Sequence, residues 1–99
     1  MINNKNTVSV TYTDAELRNL VEEYITQQKE EFTLKGLYSY ILYWAVEDDK
    51  VADAKTPIES NELCNDDQSR TRRVLDAVVA DGRVVADSND QTKYQIVKH

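Results

Sequence analysis

Residues 67–97 constrain this chain more than any other stretch. In DQSRTRRVLDAVVADG, residues Thr71, Val74, Leu75, Val78 and Val79 recur at the spacing of one helical face, which predicts a helix over 67–81. Gly82 follows, and glycine takes the left-handed turn that ends a helix without steric cost. Beyond it, 83–87 and 91–97 are strand-like, joined by the polar connection Ser88-Asn89-Asp90. Val84, Tyr94 and Ile96 are the inward-facing candidates of a two-stranded hairpin. The rest of the chain is organised around this helix and hairpin.

Two helices are predicted upstream. Thr13 and Glu16 have the spacing of a capping box, in which each side chain satisfies a free backbone donor of the first turn. Leu17, Leu20, Val21, Tyr24 and Ile25 then form one stripe, opposite Arg18, Asn19, Glu22, Glu23 and Thr26. Phe32-Thr33 is a brief extended link, with Thr33 placed to cap a helix over 34–48. Leu34, Leu37, Tyr38, Ile41, Leu42 and Ala45 line one side of that helix. At about 100° per residue, Tyr40, Tyr43 and Val46 fall away from this stripe and Trp44 lies at its edge. A helix apolar most of the way round is either covered on two sides or offers aromatics to a partner.

Residues 7–12 alternate and predict either a short strand or a flexible arm, and 47–55 form an exposed loop. Thr56-Pro57-Ile58-Glu59 repeats the capping-box pattern with proline at the first helical position, which predicts a short helix over 57–64. Cys64 is read there as a small core residue. Asn65-Asp66-Asp67 supplies turn chemistry, caps and negative charge for the next helix start.

Ninety-nine residues make a single domain, 1–99, of α+β class and mainly α. No apolar run approaches the roughly 20 residues that span a bilayer, and the start is polar, so a cytoplasmic protein without membrane partner is expected. Enzymatic chemistry has little to stand on. The one histidine, His99, is the last residue, and the two glycines, Gly36 and Gly82, are too far apart for a phosphate loop. The single cysteine leaves no disulfide and no metal site. No catalytic residue, cofactor or metal is expected.

Charge is unevenly spread. Residues 1–67 carry six basic against fourteen acidic side chains, a net of −8, while residues 68–99 carry six against four, a net of +2. The whole chain is at −6. Such asymmetry suits an acidic support with a mildly basic reading face.

Over 32–97, the order of a short helix (PIESNELC), a polar turn (NDD), a third helix headed by Gln68-Ser69-Arg70-Thr71-Arg72-Arg73, a glycine and a hairpin resembles the winged helix-turn-helix DNA-binding domains. Two registers fit: helices 13–30 and 34–48 precede the third helix, or helices 34–48 and 57–64 do. The resemblance implies that Ser69 and Arg73 point into the major groove, with Gln68 beside them. It implies that Arg70, Arg72, and Arg83 and Lys93 in the wing reach phosphates. An arginine reads guanine through two parallel hydrogen bonds, which makes Arg73 the sharpest base-contact candidate. Asp66 and Asp76 share that outward face and oppose phosphates, and Arg72 and Arg73 have Asp76 as a candidate ion-pair partner. Two functions therefore compete. One is a small, dimeric, DNA-binding transcription regulator that reads double-stranded DNA with helix 67–81 and wing 83–97. The other is a winged-helix module for protein contact or homodimerisation, using Tyr40, Tyr43 and Trp44.

Overall fold

The structure, a computed structural model, describes residues 6–52 and 61–97. Its elements follow in the order β1 (Asn6–Val8), α1 (Asp14–Gln27), β2 (Glu31–Thr33), α2 (Leu34–Glu47), β3 (Asn61–Leu63), α3 (Asn65–Ala80), β4 (Val84–Ala86) and β5 (Lys93–Ile96). The class is α+β and mainly helical, as the sequence predicts.

Both predicted caps of the first two helices form. Thr13 accepts from the Glu16 N–H at 3.2 Å while the Glu16 carboxylate accepts from the Thr13 N–H at 2.8 Å. Thr33 accepts from the Gly36 N–H at 3.1 Å. These bonds satisfy backbone donors that the first turn leaves open. Leu17 and Val21 of α1, Leu37, Ile41 and Ala45 of α2, and Leu75 and Val78 of α3 then meet in one core, closed below by Val84 and Tyr94. Thr71 is the polar member of the α3 stripe. Its hydroxyl donates to the Asp67 carbonyl one turn back at 2.8 Å, so burying it leaves no donor unpaired.

The third helix starts earlier than predicted. Cys64, not an asparagine or aspartate, is its N-cap residue, and Asp66 and Asp67 lie in its first turn, where carboxylates favour the positive helix end. Gly82 ends the turn at φ 83°, the left-handed geometry expected of it.

Two features depart from the sequence reading. The predicted helix 57–64 is a strand over its last part: Asn61–Leu63 pairs in parallel with Asn6–Val8, and Leu63 is buried in the hydrophobic core. Pairing with β1 gives the backbone of 61–63 distant hydrogen-bond partners, which a local capping signal cannot anticipate. Residues 57–60 lie outside the described residues, as does His99. The hairpin is also not alone. Phe32-Thr33 belongs to β2, which pairs antiparallel with β5 and makes a three-stranded sheet in the order β2-β5-β4. Phe32 pairs with Tyr94, and their rings stack at 5.5 Å, so a cross-strand aromatic pair holds the third strand in place.

Of the two alternatives for 7–12, the strand forms only at its start, as β1 over Asn6–Val8. Val8, Val10 and Tyr12 all turn inward, and Val10 bridges to Val51 within the expected loop. Val84 and Tyr94 are buried and Ile96 half-buried, with Val85 at the surface.

Candidate functional site

Two surfaces carry the sequence-predicted site residues: the N-terminal half of α3 with the hairpin, and the outer side of α2.

Asp67 organises the first. Its side chain is only 6% exposed. One carboxylate oxygen accepts from the Val10 N–H at 2.8 Å and the Cys64 thiol at 3.2 Å, and the other accepts from Arg70 at 2.9 Å. Arg70 also donates to Asp14 at the start of α1 and to the Tyr12 carbonyl. Burial pulls the Arg70 guanidinium down, but its bonds to Asp67 and Asp14 outweigh this and hold it above its ordinary value. This network ties the segment between β1 and α1, the first turn of α1 and the head of α3 together. Cys64 is thus a half-buried link in that network, not the core residue of a short helix, and it also accepts from Ser9 at 3.4 Å.

Most of the residues assigned to DNA are engaged within the chain. Gln68 donates its amide to the Leu63 carbonyl at 2.8 Å. Arg83 donates to Glu22 at 2.6 Å, and Arg18 binds the same carboxylate at 3.1 Å and Asp81 at 2.9 Å. The hydrogen bonds from Arg83 and Arg18 hold Glu22 below the usual carboxylate range. Lys93 lies 3.9 Å from Glu31 across the β2–β5 pair. The hairpin connection folds on its own aspartates: Asp87 accepts from the Asn89 N–H, and Asp90 accepts from the Thr92 N–H and hydroxyl. These Asx-type turns put acids, not cations, at the hairpin tip.

Ser69, Arg72 and Arg73 are different. All three are exposed on α3, and among the described residues neither arginine forms an ion pair, with Asp76 or otherwise. Arg72 lies close enough to Tyr38 of α2 for its charge to oppose the upward shift that burial gives that hydroxyl. Asp66 and Asp76 are exposed on the same helix, so the outward face is mixed in sign.

The second surface is aromatic. Tyr43 is 57% exposed, Trp44 36% and Val46 43%, while the neighbouring Leu42 and Ala45 are buried. The exposed rings are the outer end of a ladder that begins in the core. Tyr94 stacks on Phe32, Phe32 meets Tyr24 edge-on at 5.6 Å, Tyr24 contacts Tyr40 at 5.0 Å, and Trp44 touches both Tyr40 and Tyr43. Tyr40 is half-buried and accepts from the Gln27 amide of α1 at 3.2 Å. Gly36 permits this arrangement. A Cβ there would meet the Tyr24 hydroxyl at 2.5 Å, so any larger residue requires the Tyr24 ring to shift from its place between α1 and α2.

Sequence reasoning missed the burial of Asp67 and the Tyr24–Gly36 contact. The i, i+3 spacing of Asp67 and Arg70 carries a signal for the first, though not for its bonds to Val10 and Cys64. Among the described residues no group of His, Cys, Asp and Glu could hold a metal ion, and no helix is long and apolar enough to cross a membrane. Comparison with protein-family models, with curated proteins and with solved structures finds no match.

Proposed function

We propose that this chain is a winged-helix module that binds another protein through the outer face of α2. The order α1, β2, α2, α3, then the β4–β5 hairpin with β2 beside it, supports the winged-helix reading and agrees with the register in which 13–30 and 34–48 are its first two helices. The observation that carries the protein-binding reading is the exposure of Tyr43 and Trp44 beside Val46. Tyrosine and tryptophan are the residue types that interface centres favour, because they bury large area at small entropic cost.

A second reading keeps DNA as the partner, and Arg72 and Arg73, exposed beside Ser69 and without an ion pair among the described residues, favour it. It is the weaker one. Gln68, Arg70 and Arg83 already serve intramolecular bonds, so contacting phosphates would mean giving them up. Affinity for DNA rests on neutralising phosphates, and a net charge of −6 with aspartates at the wing tip works against it.

A purified protein partner separates the two. Its binding is expected to be lost in Tyr43→Ser/Trp44→Ser and kept in Arg72→Ala/Arg73→Ala. Enrichment of one duplex sequence in a site selection at physiological salt, abolished by Arg72→Ala/Arg73→Ala, would overturn the protein-binding reading in favour of a transcription regulator.

A further inference from the structure

The aromatic face of α2 has a definite electrostatic setting. Tyr40, Tyr43, Trp44 and Glu47 follow at i, i+3, i+4 and i+7, so the stripe ends in a carboxylate, and Asp48 and Asp49 come directly after it. A helix C-terminus already carries about half a negative charge, which basic residues in the last turn ordinarily offset. Neither α1 nor α2 has a basic residue in its last turn. Lys50 follows α2, but its ammonium lies 3.8 Å from Glu16. Lys29 follows α1 and is itself followed by Glu30 and Glu31. The two helix ends meet the stripe from both directions: Gln27, the last residue of α1, donates to Tyr40, and Glu47, the last residue of α2, lies one turn beyond Tyr43. Glu23, one turn before Gln27, is exposed on the same side of α1. The α1 end thus reaches Tyr40 and the α2 end follows Tyr43 and Trp44, with Glu23 and Glu47 exposed on those helices, while Asp48 accepts from the Tyr12 hydroxyl at 2.8 Å.

We propose that this stripe takes a basic segment of a partner protein, with lysine or arginine side chains over the rings of Tyr43 and Trp44 and in reach of Glu47. This rests on the reading of α2 as the docking face. A cation over an aromatic face is attracted by the ring, and the carboxylate rim and helix ends reinforce that attraction and select its sign. A second copy of this chain fits less well, since it brings the same carboxylates and helix ends to the contact and a net charge of −6 with them.

Trp44 is the only tryptophan, so intrinsic fluorescence reads this surface directly. The test titrates the full chain with an amphipathic lysine–leucine peptide and, in parallel, with its glutamate–leucine counterpart. The expected result is a saturable change in Trp44 emission with the lysine peptide only, weakened in about 0.5 M salt. In Glu47→Lys the affinity should fall about tenfold. That variant places a cation at a helix C-terminus, which favours the fold, so a loss is not an unfolding effect. An equal response to both peptides overturns the charge preference and leaves the docking face standing. An emission change that depends only on the protein's own concentration assigns the face to a second copy and overturns the proposal. Silence of Trp44 toward both peptides also overturns it. The docking reading itself fails separately, when a purified partner binds Tyr43→Ser/Trp44→Ser as tightly as the wild type.

Discussion

The outer faces of α2 and α3 each expose one residue class beyond what the fold uses, and the two surpluses differ in kind. In α3 the arginines divide. Arg70 is drawn into the Asp67 network, whereas Arg72 and Arg73, two and three positions on, are exposed and form no ion pair among the described residues. In α2 the rings divide in the same way. Tyr38 is half-buried and Tyr40 is bonded to α1, whereas Tyr43 and Trp44 project outward. An exposed guanidinium is at home in water, but an exposed indole beside a phenol and a valine is not. Unsatisfied surplus is therefore greater on α2, and a partner that removes apolar area from water gains more there than on α3.

The largest expected effect tests the division within α3. Asp67→Ala removes acceptors from the Val10 N–H and from Arg70 in a buried place, and should cost about 3 kcal/mol in urea denaturation. Arg73→Ala, on the exposed face, should stay within about 0.5 kcal/mol. Similar losses in the two variants would erase the distinction between arginines that hold the fold and arginines that are free.

Next in size is the contact that seats the aromatic ladder. In an ordinary helix, Gly→Ala stabilises by about 1 kcal/mol. At Gly36 the new methyl meets the Tyr24 hydroxyl, and the expected outcome is a net loss of about 1–2 kcal/mol. In a Tyr24→Phe background the same substitution should become neutral or stabilising, because the obstructing oxygen is gone. A loss undiminished in that background would mean that Tyr24 does not set the spacing of α1 and α2.

A smaller effect lies in the acid limb of stability. Arg83 and Arg18 hold Glu22 below its ordinary value, so the unfolded chain binds this proton more readily. The contribution is therefore complete above the unfolded pKa of about 4.3 and is lost as pH falls through the folded value. The side chain is 31% exposed, so solvent screening limits the gain to a few tenths of a kcal/mol. Glu22→Gln should flatten the pH dependence of unfolding below about pH 4.5, and an unchanged slope would show that Arg83 is available for outside contacts after all.

These divisions mark where the sequence is legible. Capping boxes at Thr13 and stripes such as Leu17, Val21 and Ile25 are local signals, and the helices they announce form within a residue or a few of the expected bounds. Gly82 is legible for the same reason. Strand β1 is legible only as one of two alternatives and β3 is not legible at all: each is three residues long, and the signal that pairs them is their juxtaposition across α1 and α2. The site shows the same contrast. The list Gln68, Ser69, Arg70, Arg72, Arg73, Arg83 and Lys93 is a list of cations and polar groups, but which of them are free depends on Asp14 and Glu22 of α1 and Glu31 of β2. No periodicity within α3 carries that information.

The smallest expected effect bears hardest on the comparison. Tyr43→Ser removes a ring that is 57% exposed and touches Trp44 edge-on at 5.4 Å. Because the ring is already mostly in water, its removal should change stability by about 0.5 kcal/mol or less, since only one exposed aromatic pair is lost. Serine is a poorer helix former than alanine by a few tenths of a kcal/mol, so Tyr43→Ala supplies the matched control for backbone propensity. If both variants instead lose more than about 1.5 kcal/mol, the ring belongs to the packing of α2 and the surplus on this face is only apparent. A near-neutral result has the opposite meaning. A tyrosine that the fold does not need, next to the only tryptophan in the chain, leaves exposed apolar area free for the contact that the proposed protein-binding reading requires.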